Sequence, residues 1–301
     1  MSEQVWVVGE VLIDLIPDGD HYASVVGGGP ANTAKALAKL GVKTHFVDGI
    51  SSDKYGQMAK AELLAANVLL NYAQYSNKPT STAKVTLSKS GSASYEFVIE
   101  DTATFDFSDQ WLPDPHTYKP LLLHIGTLAT IIEPGAAVLF EWAKNVVHVA
   151  PIIFDPNIRP AVLGDRDDYV NKVEKWVAIS SAVKVSDEDL NWLYPGKVID
   201  EIVNRWLEVG VELVVVTLGD KGITAYRENE QISVDAVKVK VADTVGAGDT
   251  VGAVLVEAIV KNGLKRLTGE VLKTMLHRAV KAAAITVSRT GANPPSKEEI
   301  D

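Results

Sequence analysis

Residues 243–250 read Asp243-Thr244-Val245-Gly246-Ala247-Gly248-Asp249-Thr250, and a stretch of small and apolar residues follows over 251–260. A glycine turn that enters a helix leaves backbone N–H groups unpaired at the positive end of the helix dipole, where they can bind an anion. A carboxylate in the next position can take a proton from a hydroxyl. The segment therefore combines what phosphoryl transfer to an alcohol requires, although its spacing alone also suits an ordinary glycine-rich turn.

The rest of the chain alternates between short apolar runs and helical patterns. Predicted strands cover 5–8, 44–47, 121–125, 151–154, 182–185 and 213–217, and predicted helices cover 31–40, 54–66, 134–144, 168–180, 187–193 and 199–209. Strands that are apolar on both faces and alternate with helices indicate a mostly parallel sheet covered on both sides. The sequence therefore predicts an α/β fold.

Two segments interrupt this alternation, about 10–26 and 73–99. Both are typical of antiparallel strands, with turn signals at 17–20 and 89–91 and alternating patterns at 83–87 and 95–98. If the two segments pair with each other, they form a small sheet beside the main one. We expect Val25, Val26, Val85, Leu87 and Phe97 to supply the apolar faces of that sheet.

Composition excludes several functional classes. The 301 residues are 47% hydrophobic and carry a net charge of 29 − 39 = −10, so nucleic acid and anionic membranes are not expected partners. The absence of cysteine excludes disulfides, thiolate catalysis and cysteine-bound zinc. No secretory leader and no linker is recognisable, so we expect a cytoplasmic protein with a single domain over 1–301.

A second glycine-rich segment lies near the start of the chain. Gly9-Glu10-Val11-Leu12-Ile13-Asp14 follows the first predicted strand, and 27–32 reads Gly-Gly-Gly-Pro-Ala-Asn before a helix. The spacing is neither that of a dinucleotide fingerprint nor that of a P-loop. Glycines let the backbone approach a polyhydroxy ligand closely, and Asn32 offers both a donor and an acceptor to hydroxyls.

The two glycine-rich segments resemble the signatures of the ribokinase-like (PfkB) sugar kinases. The resemblance implies a three-layer α/β/α fold with a β-sheet lid formed by the two interrupting segments. It makes Gly246, Ala247 and Gly248 the anion hole for the transferred phosphoryl group and Asp249 the base. A helix N-terminus should favour the ionised form of that base. On the same grounds Asp14, Gly27, Gly28 and Asn32 bind the sugar.

Further segments extend the resemblance. Asp155-Pro156-Asn157-Ile158-Arg159 is similar to the family's D-x-N-x-R, which implies that Asn157 and Arg159 approach the substrate or its phosphate. Segment 184–189 departs from the family's N-x-x-E, because Ser186 and Asp189 stand in those positions. Asp189 is shorter than Glu, so its indirect role at Mg²⁺ is open. The resemblance also implies a set of nucleotide-binding residues, namely Lys184, Ser186, Thr217, Gly219, Gly222 and Gly248. Segment 289–294 resembles the terminal segment near the adenine and the monovalent cation.

The resemblance implies an ATP-dependent sugar kinase that uses Mg²⁺, with K⁺ as a further candidate, and a homodimer formed through the lid. Segments 9–14, 154–159 and 184–190 are most similar to the fructokinases, so the expected reaction is phosphorylation of a hexose such as fructose. Two alternatives remain within the class, a 2-keto-3-deoxygluconate kinase and a ribokinase. A sugar-binding regulator without catalysis is the alternative from another class.

Overall fold

The computed structural model describes residues 4–87 and 93–301 of the chain. Three sheets are formed by the strands of these residues. In chain order the strands are β1 (Val5–Val8), β2 (Leu12–Asp18), β3 (His21–Gly27), β4 (Thr44–Val47), β5 (Gly49–Ser51), β6 (Gln74–Ser76), β7 (Thr82–Leu87), β8 (Ala93–Val98), β9 (Leu122–Gly126), β10 (Ile152–Asp155), β11 (Ala182–Ser186), β12 (Leu213–Thr217), β13 (Ile223–Arg227) and β14 (Glu230–Val234).

Most strands of the largest sheet are separated in sequence by α-helices. The α-helices are α1 (Gly29–Lys39), α2 (Lys54–Ala65), α3 (Pro115–Tyr118), α4 (Gly135–Val146), α5 (Arg166–Val177), α6 (Asp187–Leu193), α7 (Ile199–Glu208), α8 (Ala247–Asn262), α9 (Gly269–Val287) and α10 (Lys297–Ile300).

The largest sheet has eight strands in the order β14-β13-β12-β11-β10-β9-β1-β4. Neighbours from β4 to β12 pair in parallel, whereas β13 and β14 pair antiparallel at one edge. The carboxyl ends of the parallel strands therefore lie along one edge, where α/β sheets bind ligands. The predicted α/β fold is confirmed.

Side chains of the central strands alternate between two cores. Val5 and Val7 of β1 pack in the core that contains α1, α8 and α9, while Trp6 and Val8 pack in the core that contains α4, α5 and α7. All four residues are fully buried. This alternation follows from the two-residue period of a strand, and it produces the three-layer α/β/α arrangement.

The two interrupting segments form the lid sheet, with the strand order β3-β2-β7-β8. β2 and β3 are antiparallel, as are β7 and β8, and the two hairpins join through parallel pairing of β2 with β7. β6 is an exception to the prediction, because it pairs with β5 in a separate two-stranded sheet. The predicted turn at 89–91 lies outside the described residues.

The side chains predicted for the apolar faces of the lid divide into two groups. Val26 and Val85 are buried within the chain, and Val26 packs in the core that contains α1, α8 and α9. Val25 is 37% exposed and Phe97 is half-buried. The side chain of Leu87 lies outside the described residues.

Two helices begin at residues other than the predicted ones, and the reasons are local. α1 begins at Gly29, two residues before the predicted start, because Pro30 suits the first turn of a helix and does not break it there. α5 begins at Arg166, after Asp165 accepts a hydrogen bond from the Asp168 N–H as an N-cap. The edge strands β13 and β14 and helix α9 lie outside the predicted elements.

Of the helices in the described residues, none combines the length and the apolar character that crossing a bilayer requires.

A capping carboxylate ties α2 to the lid, and we expect its loss to be costly. Asp53 accepts hydrogen bonds from the Gly56 N–H at 2.7 Å, the Thr80 N–H at 2.9 Å and the Thr80 hydroxyl at 2.6 Å. Asp53→Ala should lower the free energy of unfolding by about 2–3 kcal/mol, measured by urea denaturation.

Asp165→Ala is the matched control, since Asp165 caps α5 through a single local hydrogen bond. Its cost should be about 1 kcal/mol. Burial raises the pKa of Asp53, but the hydrogen bonds from Thr80 and Gly56 outweigh burial and lower it. The contribution of Asp53 to the free energy of unfolding should therefore be present at neutral pH and be lost as the pH falls through this lowered pKa. Equal costs for both variants would contradict the link to the lid.

Candidate active site

The turn before α8 has the geometry of an anion site. Gly246 adopts a left-handed conformation with φ of 80°, which glycine reaches without steric cost, and α8 begins at Ala247. Within the described residues, the N–H groups of Gly248 and Asp249 have no acceptor, whereas the Thr250 N–H returns to the Gly246 carbonyl at 2.9 Å. Two free donors therefore lie at the positive end of the helix dipole.

Asp249 is held in the first turn of this helix. Its Oδ2 accepts a hydrogen bond from Asn32 Nδ2 at 2.9 Å, and the residue is only 8% exposed. No donor among the described residues reaches Oδ1. One carboxylate oxygen is thus fixed by α1, and the other is free to accept a proton from a ligand.

The pKa of Asp249 shifts in the direction opposite to the sequence-based prediction. Burial is the largest effect, and together with the charge of Asp155 it raises the pKa. Lys184, the Asn32 hydrogen bond and Arg159 lower the pKa, and the net value is about 6. Desolvation outweighs the start of the helix because the carboxylate is almost completely enclosed. A pKa of about 6 still leaves the group mostly ionised at neutral pH, so it remains available as a base.

A buried ion pair lies directly beneath the anion site. Lys184 Nζ is 3.0 Å from Asp155 Oδ2, and both side chains are nearly inaccessible. A Cβ added to Gly248 would lie 2.9 Å from Lys184 Nζ, so the ammonium group packs against the glycine backbone. Burial lowers the pKa of Lys184, but Asp155 and Asp249 outweigh it and keep the pKa above its ordinary value. The lysine is charged and faces the place where negative charge would gather.

The residues predicted to bind the sugar meet at the root of the lid. A Cβ on Gly27 would lie 2.2 Å from Asp14 Oδ2, so this carboxylate packs against the Gly27 backbone. Gly28 has a φ of 104° and lies against the Glu10 carbonyl. Burial raises the pKa of Asp14 to about 6, whereas Arg159 and Lys35 lower it. The structure therefore brings Asp14, Gly27 and Gly28 together beside a cationic side chain.

Asn157 and Arg159 follow β10 at the same edge of the sheet. Asn157 has a φ of 40°, which is strained for a residue other than glycine. Arg159 is exposed, and its Nη1 donates to the carbonyls of Asn157 at 3.2 Å and Ile158 at 3.0 Å. Its charge lowers the pKa values of both Asp14 and Asp249. The guanidinium group is therefore near both carboxylates without touching either.

Sequence patterns did not single out Thr127. It follows β9, has a φ of 55°, and its hydroxyl donates to the buried carboxylate of Glu10. Burial raises the pKa of Glu10 to about 7, against the hydrogen bonds that it accepts. A threonine after an apolar strand carries no recognisable motif, and only its unusual backbone conformation marks it.

A cleft of about 1060 Å³ extends from the anion site along the carboxyl ends of β11 and β12. It is lined by all the residues predicted to bind the nucleotide, namely Lys184, Ser186, Thr217, Gly219, Gly222 and Gly248. Its far wall is apolar and comes partly from α9, through Val280, Ala283, Ala284 and Val287. Sequence reasoning missed this wall, since small apolar residues on one face of a helix are indistinguishable from core residues.

Asp189, the predicted indirect metal residue, has both carboxylate oxygens engaged. Oδ1 accepts from the Ile158 N–H at 2.9 Å, and Oδ2 accepts from the Ser186 N–H at 3.3 Å. The Ser186 hydroxyl in turn accepts a hydrogen bond from the Asp189 N–H, which completes a capping box for α6. The described residues hold no group of three or more His, Cys, Asp or Glu side chains that could bind a metal. Asp189 thus orients the loop after β10 and lines the nucleotide cleft, and its indirect role at Mg²⁺ stays a prediction.

The terminal glycine segment packs behind the anion site. Asp243 accepts hydrogen bonds from the N–H groups of Gly291 at 2.9 Å and Val245 at 3.1 Å. A Cβ on Gly246 would lie 2.8 Å from the Ala292 side chain. Asp243 therefore joins the two segments and supports the glycine turn, and it does not project into the site.

Comparison with known proteins assigns the family. The sequence model of the pfkB family carbohydrate kinases matches residues 2–299. The chain is 34% identical over 261 residues to a fructokinase of Rhizobium leguminosarum bv. trifolii, covering 85% of this chain and 79% of that protein. It is 27% identical over 308 residues to a fructokinase of Escherichia coli, covering 100% and 99%. The chain therefore belongs to the pfkB family of carbohydrate kinases.

Solved structures agree with this assignment. A fructokinase of Vibrio cholerae O395, with fructose, ADP and a calcium ion bound, is 28% identical and superposes with a TM-score of 0.85 over 96% of this chain and 94% of its own. A fructokinase of Xylella fastidiosa with bound ATP has a TM-score of 0.91 at 23% identity, over 100% and 97% of the two chains. The second likeness shows the fold.

Because Asp249 is a buried carboxylate with a raised pKa, its replacement by asparagine should stabilise the protein at alkaline pH. Because the pKa is higher in the folded state than in the unfolded state, the protonated carboxyl contributes stability below the unfolded pKa. This contribution is lost as the pH rises through about 6. Asp249→Asn should gain on the order of 2 kcal/mol at about pH 8 and little at about pH 4. Calorimetric melting temperatures at both pH values measure this difference.

Asp243→Asn is the control for this experiment. It weakens the acceptor of two backbone N–H groups, so it should lower the melting temperature at about pH 8. A lower melting temperature for Asp249→Asn at that pH would mean that the attraction to Lys184 exceeds the cost of burial.

Proposed function

We propose that this carbohydrate kinase transfers the γ-phosphoryl group of ATP to a primary hydroxyl of a hexose, with D-fructose as the first candidate and D-fructose 6-phosphate as its product. A single observation carries the proposal. Asp249 Oδ1 is free of donors within the described residues, its neighbour Gly248 lines the nucleotide cleft, and Gly29, which follows Gly27 and Gly28, lies against Oδ1. A base beside free amides, between two binding regions, suits phosphoryl transfer.

The geometry supports a direct displacement. The sugar hydroxyl gives its proton to Asp249 Oδ1, its oxygen forms a bond to the γ-phosphorus, and the bond to the bridging oxygen breaks as ADP leaves. We assign to the transferred group the N–H groups of Gly248 and Asp249, which have no acceptor among the described residues. Lys184 adds a positive charge beneath the same turn. Fixed donors and a buried cation stabilise the transition state because they need no reorganisation.

On the sugar side, we propose that Asp14 and Asn32 bind hydroxyls. Asn32 donates to Asp249 through Nδ2, and its buried Oδ1 has no partner among the described residues. A buried acceptor without a partner is costly unless a ligand donates to it. Asp14 offers a carboxylate beside the Gly27 backbone, where a polyhydroxy ligand can approach closely.

On the nucleotide side, the residues fit ATP with Mg²⁺ held mainly by phosphate oxygens and water. Asp187, Glu188 and Asp189 line the cleft, and we propose that their carboxylates hold water around the metal. Bound Mg²⁺ would neutralise charge on the phosphates. For K⁺, which is bound in a V. cholerae fructokinase structure, we propose the loop formed by Asp243 and Gly291.

Fructose is the first candidate because the related proteins reported above are fructokinases. A keto-acid such as 2-keto-3-deoxygluconate would need a cation for its carboxylate, and Arg159 is the exposed cation beside Asp14 and Asn157. Residues 1–301 would act as one catalytic domain. A non-catalytic regulator is disfavoured, since Asp249, Gly246 and Gly248 are all present.

The experiment that tests this function is ADP release from MgATP with fructose, ribose, 2-keto-3-deoxygluconate, glucose, adenosine and tagatose as acceptors. Wild-type protein should use fructose with the highest kcat/KM. Asp249→Asn should lower kcat by a factor of 10² to 10⁴, roughly the contribution of a general base, while both KM values stay within a few-fold. The amide keeps the hydrogen bond to Asn32 but cannot take a proton.

Asp243→Asn is the matched control, because Asp243 supports the turn from behind. It should cost stability and the response to K⁺ more than it lowers kcat at saturating K⁺. If Asp249→Asn keeps more than about a tenth of wild-type kcat while Asp243→Asn loses turnover, the base has been misassigned. A preference for 2-keto-3-deoxygluconate over fructose would leave the kinase assignment standing and would replace fructose as the proposed substrate. No ADP release with any acceptor would reject the kinase.

We also propose a homodimer that forms through the open face of the lid sheet. Ile16 and Val25 lie on the same face as Asp14, since Val25 pairs with Asp14 and Ile16 follows two residues later. They are 41% and 37% exposed. Exposed apolar side chains on a sheet are typical of association surfaces.

Replacing Ile16 by lysine should convert the dimer to a monomer, because a charge would have to be buried at the contact. Static light scattering at micromolar concentration gives the molar mass directly. Val271→Lys is the control, as Val271 is a comparably exposed apolar residue on α9, away from the lid. A monomeric wild type, or an Ile16→Lys variant that stays dimeric, would exclude dimerisation through this face.

A further inference from the structure

Lys184 lies beneath the anion turn, and a single partner holds it there. Asp155 is the last residue of β10, and Lys184 belongs to β11, the neighbouring parallel strand. Lys184 Nζ donates to Asp155 Oδ2 at 3.0 Å, and the two side chains are 5% and 2% exposed. A Cβ on Gly248 would lie 2.9 Å from the same nitrogen. The ammonium group is therefore fixed between the end of a strand and the backbone of the anion turn.

The ammonium group has donors that the protein does not use. It carries three N–H groups, and Asp155 Oδ2 is its only hydrogen-bond acceptor among the described residues. Buried donors without acceptors are costly unless a ligand accepts from them. Lys184 lines the nucleotide cleft, and the free amides of Gly248 and Asp249 belong to the adjoining turn. The ligand that suits all of these donors is an anion.

Asp249 depends on the same cation. The carboxylate accepts from Asn32, and no hydrogen bond joins it to Lys184. Burial raises the pKa of Asp249, and the charge of Lys184 is the largest of the effects that oppose burial. The charge of Asp155 acts in the other direction and raises the pKa of Asp249 further. Lys184 therefore favours the ionised base through space, while Asp155 disfavours it.

We propose that Asp155 is a positioning residue for phosphoryl transfer, which holds Lys184 where one cation serves first the Asp249 carboxylate and then the transferred phosphoryl group. The proposal rests on the kinase function argued above and deepens it. Before transfer, the cation stabilises the ionised base. The alcohol then gives its proton to Asp249, and its oxygen bonds to the γ-phosphorus. The carboxyl becomes neutral as negative charge gathers on the transferred group, and the free donors of Lys184 bind that charge. Asp155 takes no part in the proton transfer.

Three other titratable side chains lie around this group. Arg159, in the loop after β10, lowers the pKa of the base, against the effect of burial. Burial lowers the pKa of Lys184, whereas Asp155 and the base raise it, and Asp189, at the start of α6, raises it further. Burial lowers the pKa of His124 in β9 to about 3, so this ring is uncharged at neutral pH. Lys184 is thus the strongest charge that favours ionisation of the base, and Asp155 opposes it.

The test compares Asp155→Asn and Lys184→Met with wild type in the pH profile of kcat/KM for fructose at saturating MgATP. Asp155→Asn keeps an oxygen that accepts from Lys184 and removes a charge that opposes ionisation of Asp249. Its acid limb should therefore move to lower pH. Lys184→Met removes the cation, so its acid limb should move to higher pH by about one pH unit. MgATP titrates identically in every sample, so displacements in opposite directions belong to the protein.

The two substitutions should also lower kcat to different extents. Lys184→Met removes donors from the transferred group and should lower kcat on the order of 10²-fold at the pH optimum. Asp155→Asn leaves the cation with a weaker partner and should lower kcat roughly 10-fold, as expected for the loss of one charge-assisted hydrogen bond. Adding Asp155→Asn to Lys184→Met should lower kcat by no more than about two-fold, because Asp155 acts through Lys184.

Glu257→Gln is the control. Glu257 lies on the same helix as Asp249, two turns further on, and its ion pair with Arg278 at 2.6 Å is also largely buried. Its replacement should lower the melting temperature and leave both the acid limb and kcat unchanged. Where either single variant is poorly folded, the double variant Asp155→Asn/Lys184→Met takes its place, because it leaves neither member of the ion pair charged without its partner. Its kcat should be as low as that expected for Lys184→Met.

Acid limbs that move in the same direction in Asp155→Asn and Lys184→Met would overturn the proposal. So would a double variant with the kcat of wild type, or one in which the two losses multiply, since Asp155 would then act independently of Lys184. A wild type that releases no ADP with any acceptor would reject the kinase function itself. An active wild type whose acid limb is unmoved by these substitutions would reject the positioning role alone.

Discussion

The arrangement depends on one buried carboxylate, Asp249, held at the start of a buried helix. Asn32 fixes one of its oxygens from α1, and Lys184 balances its charge from β11. Helix α8 is enclosed over residues 249–259, so the carboxylate cannot turn towards solvent without unfolding the turn before it. Three elements far apart in sequence must therefore pack correctly before this group acquires a defined position and pKa.

The electrostatics of the site are a compromise between stability and activity. Burial raises the pKa of Asp249 to about 6, and the ammonium group of Lys184 limits that rise. Asp155 keeps Lys184 charged within the interior, although the Asp155 charge opposes ionisation of Asp249. Buried charges are costly unless they are paired. The presence of Asp155, Lys184 and Asp249 in the interior is therefore better explained by a role in the chemistry of the site than by a contribution to folding stability.

The lid is anchored by polar groups that are themselves buried. Asp48 accepts hydrogen bonds from the N–H groups of Val11 at 2.8 Å and Gly49 at 2.7 Å, and Thr104 donates to the Val11 carbonyl at 2.9 Å. Burial raises the pKa of Asp48 well above its usual range. These contacts fix the chain where it leaves β1 for the lid, just after Glu10. Glu10 itself accepts a hydrogen bond from the Thr127 hydroxyl, so the root of the lid is also joined to the end of β9.

The sequence by itself determined the α/β class, the central strands, the lid segments and the residues around the two glycine turns, because these depend on local periodicity and backbone requirements. It did not determine the partner of β6, the edge strands β13 and β14, or the apolar wall from α9, since these depend on long-range packing. It also predicted the wrong direction for the Asp249 pKa, because a helix terminus is visible in sequence and desolvation is not. The position of Thr127 emerged only from the tertiary structure, where Thr127 after β9, Asn157 after β10 and Asp249 of α8 all lie against Gly29 of α1.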